Sequence, residues 1–217
     1  MKTLLCFGDS NTYGTVPMLQ RSDANRWGPE LRWPGVLQHA LGREWQVLEE
    51  GLPGRTIARD DPVEGADRNA LRYLRPCLQS HGPLEVVVFM LGTNDLKARF
   101  GASAQQIAEG LHALIDTTLE TAVADHAATQ IVVVCPAPVA EVGCLSAMFS
   151  GAAEKSRQMA THYQRIAAQR AVAFVDAARH ISASALDGIH LDKEAHAALG
   201  LALAGKVLQL WTDRQAL

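Results

Sequence analysis

Five short runs dominated by apolar and β-branched residues, at 3–7, 46–50, 85–91, 130–135 and 172–176, set the frame for everything else in this chain. A strand with one wet face alternates apolar and polar residues. A strand covered on both faces reads instead as a nearly unbroken apolar run, the pattern of a parallel sheet between helices. Helical stretches separate the runs, at 34–41, 68–80, 104–124, 154–169 and 193–210. The third is the clearest: Ile107, Leu111, Leu114, Ile115 and Leu119 form one stripe, and Ser103 with Gln106 supplies a capping box at its start. Five βα units predict an α/β fold, a three-layer α/β/α sandwich around a five-stranded parallel sheet. At 217 residues, with no internal repeat, low-complexity tract or linker, residues 1–217 are expected to form a single domain with a sizeable core.

Two segments, 15–33 and 136–153, are irregular and long for connections in such a fold. Segments of this kind are commonly lids, binding loops or interfaces. Val142, Leu145, Met148 and Phe149 in the second, and Trp27 and Leu31 in the first, have no helical or strand period to bury them. They are expected to form an exposed apolar patch that a second copy covers, making a homo-oligomer.

Charge excludes several partners. The net charge of −3 and the scattered 20 Lys and Arg provide no basic face for nucleic acid and no footprint for a membrane surface. The strongest apolar run, 86–91, is far too short to span a bilayer. The apolar start of the chain stops at Gly8-Asp9 and reads as a first strand rather than a leader. Cys6, Cys77, Cys135 and Cys144 include no C-x-x-C pair, which suits reduced thiols and a cytoplasmic location.

Four segments at expected strand ends carry chemistry: Gly8-Asp9-Ser10-Asn11, Gly51-Leu52-Pro53-Gly54, Gly92-Thr93-Asn94-Asp95 and Asp187-Gly188-Ile189-His190. In an open parallel sheet, ligands bind beyond the carboxyl ends of the strands where strand order reverses. With a flavodoxin-like order 2-1-3-4-5 the ends bearing Ser10, Gly54 and Asn94 are neighbours. Ser10 alone reads most often as a helix cap or turn residue; as a nucleophile it needs a base. His190 fits that role, because Asp187 three residues earlier can accept its Nδ1 proton and leave Nε2 free. Asn94 and Gly54 suit an oxyanion hole, one through a side-chain amide and the other through a backbone N–H free of a Cβ. Taken singly, each is equally a turn. His39, His81, His112, His126 and His162 read as helix-surface or helix-end residues, while His180 and His196 are weaker competitors for the base.

Asp187, His190, Asp192 and His196, with Asp9 and Asp95, could in principle hold a metal, yet no H-x-x-x-H or C-x-x-C spacing occurs, and none is expected. Gly8–Gly14 lacks the lysine and glycine spacing of a phosphate loop, and no cofactor is expected.

In order and spacing the four blocks resemble those of the SGNH hydrolases, the GDSL-type lipase/esterase family, with Asn11 standing where that family has leucine, outside the chemistry. Arg32-Trp33-Pro34-Gly35-Val36-Leu37, Glu49-Glu50-Gly51-Leu52 and Leu91-Gly92-Thr93-Asn94-Asp95-Leu96-Lys97 are similar to its bacterial arylesterase/acyltransferase branch. The resemblance implies Ser10 as nucleophile, His190 as base oriented by Asp187, and an oxyanion hole from the N–H groups of Ser10 and Gly54 with the Asn94 amide. It implies a serine esterase for small acyl or aryl esters working through an acyl-enzyme, and an assembly that in some members is an octamer. Transfer-proficient relatives carry a bulky aromatic just after the first block. Thr15 stands there in this chain, so hydrolysis is expected to outweigh acyl transfer. The same residues suit a carbohydrate O-deacetylase, a lysophospholipase or thioesterase, a metal-dependent hydrolase, or a non-catalytic binding domain on the same fold.

Overall fold

The computed structural model of the chain describes residues 1–124 and 128–215; His126, expected on a helix, lies outside them. Strands β1 (Lys2–Gly8), β2 (Trp45–Gly51), β3 (Val86–Met90), β4 (Gln130–Cys135) and β5 (Ala173–Asp176) form one parallel sheet in the order β2-β1-β3-β4-β5. This is the 2-1-3-4-5 order that the motif placement required. The connecting helices are α2 (Trp33–Leu41), α3 (Ala70–His81), α4 (Ala104–Ala124) and α5 (Ala152–Gln169), with α6 (Lys193–Gln215) following β5. A further four-residue helix, α1 (Ser10–Tyr13), follows β1 directly and was not anticipated.

The continuous apolar strands divide their side chains between two cores. Leu5, Phe7, Val87, Phe89 and Val133 pack with Leu74 of α3, Leu111 and Ile115 of α4, and Tyr163 and Ile166 of α5. Leu4, Cys6, Val88 and Val134 pack with Trp33 and Leu37 of α2 and Leu199 and Leu203 of α6. Each such buried side chain is worth about 1.5–3 kcal/mol.

Boundaries shift where side chains intervene. Helix α3 starts at Ala70 because the Asn69 side chain accepts the Leu71 N–H at 3.1 Å, and 66–68 form a 3-10 turn before it. Helix α6 runs past 210, where Trp211 meets Trp45 edge-on at 5.4 Å. Leu119 is 36% exposed and not part of the buried stripe of α4. At 3.6 residues per turn it sits about 80° off the centre of that stripe. Thr118 and Ala122 are buried in its place, and the Thr118 hydroxyl is satisfied by the Leu114 carbonyl at 2.8 Å.

The exposed patch expected on 136–153 does not form. Phe149 and Leu145 are buried, and Met148 is packed against the first core, because this segment folds back over the carboxyl edge of the sheet. Ala98 N–H donates to the Met148 carbonyl at 2.8 Å, fixing that return. Trp27 is likewise tied to its own chain, its indole N–H donating to the Leu191 carbonyl at 3.2 Å. Only Val142 of the group is exposed.

One contact links the second layer to the site. Gly92, at φ +118°, follows β3, and a Cβ there would lie 2.1 Å from the Tyr163 hydroxyl. That hydroxyl, fully buried, donates to the Leu91 carbonyl at 2.9 Å. Tyr163→Phe leaves a buried carbonyl without its donor and is expected to lower stability by about 1–3 kcal/mol. Chemical denaturation measures it, and an unchanged midpoint would mean that the carbonyl finds another partner.

Candidate active site

Register places three strand ends at one level: Gly8 pairs with Gly51 on one side and with Met90 on the other. Ser10 opens α1 immediately beyond. The cap of that helix is Asp9, whose Oδ1 accepts the Asn11 N–H at 2.9 Å, so the serine is not spent as a cap. Close packing demands the glycines here. A Cβ on Gly8 would lie 2.0 Å from the Thr12 hydroxyl, and one on Gly51 would lie 2.2 Å from the Tyr13 nitrogen.

Beyond β2 the chain turns through Gly54 at φ +83°. Arg55 then reaches back, donating from Nη1 to the Gly8 carbonyl at 2.9 Å and also to the Glu50 carbonyl. Beyond β3, Asn94 begins a 3-10 turn and is 5% exposed. One N–H of its amide donates to the Arg55 carbonyl at 3.1 Å; an amide has two such hydrogens, and the second is left for a ligand. Its neighbour Asp95 accepts the Ile57 N–H at 3.0 Å, so the loops after β2 and β3 are stitched twice.

The fourth block arrives from the far end of the chain. His190 Nδ1 lies 2.7 Å from Asp187 Oδ2, and the other carboxylate oxygen accepts the N–H groups of His190 and Ile189 at 2.9 and 3.0 Å. Met18 of the first irregular segment adds its N–H at 2.8 Å. Burial works to raise the Asp187 carboxyl, but the His190 ring and these N–H groups outweigh it and hold it at about 2. An ionised Asp187 can only accept, so Nδ1 is the donor and Nε2 carries the ring's free lone pair. Gly188, at φ +73°, is required because a Cβ would lie 2.0 Å from the Ala140 carbonyl.

Ser10, Gly54, Asn94 and His190 line one cavity of about 310 Å³, with Asp187 behind His190. All five residues selected from the sequence are thus brought to one place. The lining of the cavity includes the apolar side chains of Met18, Leu145, Met148, Phe149 and Ile189. The lining also includes the charged side chains of Arg21, Glu64, Arg68 and Lys97, none of which was given a role from the sequence. Lys97 is buried, and its Nζ sits 2.5 Å from Glu64 Oε1. Arg99 joins both Glu64 and the buried Asp61. Their separation in sequence, with no shared period, gave no signal. Asn11 has a part after all: its amide donates to the Ile189 carbonyl at 3.1 Å, binding the first block to the last. A polar residue standing where leucine is usual was the available clue.

The remaining candidates fall away from the cavity. His196 is fully buried, accepts the Trp33 N–H at 3.2 Å on Nδ1, and is pulled down to about 4 by burial and by Arg32 and His190, so it is a neutral packing residue. His180 is exposed beside β5. Asp192 accepts the Ser184 hydroxyl at 3.0 Å. Among the described residues, Asp187, His190, Asp192, His196, Asp9 and Asp95 form no cluster with metal-ligand spacing.

An α/β/α sandwich whose first strand ends in Gly-Asp-Ser, with an Asp–His pair returning to that serine's cavity, defines the SGNH hydrolase class. The chain belongs to the GDSL-like lipase/acylhydrolase family, whose family model matches residues 6–198, and is an ester hydrolase by class. It is similar to Est24, a carbohydrate acetylesterase from Sinorhizobium meliloti, at 38% identity over 97% of this chain and 100% of that one, with a TM-score of 0.93. The native M. smegmatis aryl esterase matches at 39% identity over 97% and 100%, TM-score 0.92. A carbohydrate acetylesterase family member from Sinorhizobium meliloti matches at 36% over 95% and 97%, TM-score 0.84. Among curated proteins none matches the chain. No helix among the described residues is long and apolar enough to cross a membrane.

Two buried carboxyls flank this site. Burial pushes Asp9 up to about 6, and pushes Asp95 up to about 7 against the Ile57 N–H and the Arg59 guanidinium. A carboxyl raised on folding favours the folded state below its unfolded value of about 3.9, and that contribution is lost as pH rises through the folded value. Asp95→Asn keeps an acceptor for Ile57 and removes the charge. It is therefore expected to be the more stable protein at pH 8 by roughly 1–4 kcal/mol, with the gap closing towards pH 4. Melting curves across that range test it, and a wild-type advantage at pH 8 would contradict the burial cost.

Proposed function

We propose that this protein is a serine esterase hydrolysing small acyl and aryl carboxylic esters through a covalent acyl-enzyme. The observation that carries the reading is the convergence of Ser10, Gly54, Asn94 and His190 on one cavity, with Asp187 2.7 Å behind the imidazole. Ser10 Oγ attacks the ester carbonyl while His190 Nε2 takes its proton; the imidazolium is stabilised by Asp187, which stays ionised. The N–H groups of Ser10 and Gly54 and the free N–H of Asn94 hold the oxyanion. Collapse expels the alcohol with the proton from His190. Water then adds to the acyl-enzyme by the same route and releases the acid.

The size of the cavity suits a short ester, standing at the lower end of the range for small-molecule sites. Thr15 lines it without the bulk of an aromatic ring, which suits access of water; acyl transfer to alcohols is proposed as a side activity only. A second reading, removal of acetyl groups from carbohydrate, is favoured by the charged lining residues Arg21, Glu64, Arg68 and Lys97, which offer hydrogen bonds to a polyhydroxylated alcohol. Kinetics on aryl acetates and on acetylated sugars separate the two. A homo-oligomer is proposed from the family resemblance alone, and light scattering that returns a 23.4 kDa particle rejects it.

Ser10→Ala and His190→Ala are each expected to lower kcat for an aryl acetate by about 10^4–10^6 with the fold intact, because such a set acts as a unit. Asn94→Ala is expected to lower kcat by roughly 10^2–10^3 with KM little changed. Turnover by Ser10→Ala within tenfold of wild type would remove the serine from the reaction. An Asn94→Ala effect confined to KM would make that amide a binding group for the ground state.

A further inference from the structure

Outside the cavity, the edge of the sheet holds a group of side chains that hydrolysis does not use. Cys77 and His81 lie one turn apart on α3, and Glu50 stands near the end of the adjacent edge strand β2. One ligand atom from each, the Glu50 carboxylate oxygen, Cys77 Sγ and a His81 ring nitrogen, lies within 4.8 Å of the other two, and among the described residues this is the one group of three that does so. We propose that Glu50, Cys77 and His81 form a zinc site that clasps the end of α3 to strand β2, with water completing a tetrahedron.

The chemistry of the three donors selects the metal. A thiolate, an imidazole and a carboxylate together suit Zn²⁺, whereas Mg²⁺ and Ca²⁺ take oxygen ligands alone. The i, i+4 spacing of Cys77 and His81 turns both side chains to the same face of α3. His81 Nε2 is already 2.9 Å from Glu50 Oε1. Bonds of about 2.3 Å to sulfur and 2.0–2.2 Å to nitrogen and oxygen put tetrahedral ligand atoms about 3.3–3.6 Å apart, so the group needs only small side-chain rotations to close on an ion. Glu50 and His81 are partly exposed, at 22% and 30%, which provides the entry path, while Cys77 is buried beneath them.

Charge and hydrogen bonding are compatible with the ion. The Arg55 guanidinium donates to the backbone carbonyls of Gly8 and Glu50 and lies over the Phe7 ring, so its hydrogen bonds go to the main chain rather than to the Glu50 carboxylate. The Tyr73 hydroxyl, 3.4 Å from Glu50 Oε1, can orient that carboxylate from outside the coordination shell. Without metal, burial and the Glu50 charge push the Cys77 thiol up to about 12, so it keeps its proton. Zinc entry forms the Sγ–Zn bond, breaks S–H and releases that proton to solvent. Two negative ligands then balance the charge of the ion, and affinity rises with pH.

The test uses the full chain, dialysed against chelator and titrated with Co²⁺. One equivalent is expected to give a near-ultraviolet thiolate-to-cobalt charge-transfer band, which one equivalent of Zn²⁺ removes. Zinc is expected to raise Tm in the wild type and not in His81→Gln, which keeps aryl-ester turnover and so reports that the fold is intact. Cys77→Ser is expected to abolish the band; because that thiol is buried, His81→Gln and Glu50→Gln serve as variants that need not disturb packing. Absence of the band in the wild type, or its persistence in His81→Gln, overturns the site. A band that survives Cys77→Ser and is lost in Cys144→Ser places the metal at the other thiol and overturns it equally. None of these outcomes depends on how the ester is cleaved.

Discussion

The parallel register of β1 between β2 and β3 is the constraint on which the rest of this structure hangs. Gly8 is paired with Gly51 and with Met90, so three chain segments leave the sheet at one height and within reach of each other. A one-residue slip in either ladder would turn every side chain of that strand to the opposite core and separate Ser10 from its neighbours. The two cores resist it. Leu4 and Cys6 cannot exchange places with Leu5 and Phe7 without losing contacts on both faces of the sheet. Positioning of the reactive groups therefore draws on the burial energy of the whole domain.

Local hydrogen bonds refine what register supplies. Asn94 and Asp95 each bind the loop after β2, and Asn11 binds the loop before His190. Such cross-bonds hold donors in place before a ligand arrives, which is what electrostatic stabilisation of a developing charge requires. The cost is visible in Asp9 and Asp95, two carboxyls kept where burial opposes their ionisation. A site of this kind trades stability for order.

Much of this is legible in the sequence. The continuous apolar runs announced a covered parallel sheet, and four short blocks marked residues that meet at one cavity. The fourth, Asp187–His190, lies in the loop before α6, 11 residues past the end of β5, rather than at a strand end. Legibility failed where the deciding contacts are distant in sequence. Glu64 and Lys97 meet across the cavity wall without any shared period. Phe149 and Leu145 lacked periodicity and so looked exposed, yet they are buried because their loop returns over the sheet edge. Leu119 shows the limit of apolar periodicity, since Thr118 competes for the same strip of surface once its hydroxyl finds a carbonyl. Asn11 shows the converse: judged by a family pattern it was a departure of no account, but its amide holds the histidine loop.

The span between the two halves of the Asn11–Ile189 bond has a consequence for how the protein is made. The partners are 178 residues apart, and the Asp187 carboxylate likewise takes an N–H from Met18. A ribosome releases the chain from its N-terminus, at roughly 5–20 residues per second. Until residue 190 is made, Ser10 has no His190 imidazole to take its proton. At that rate the 180 residues from Ser10 to His190 take roughly 9–36 s to add, so the serine exists for that time without its base.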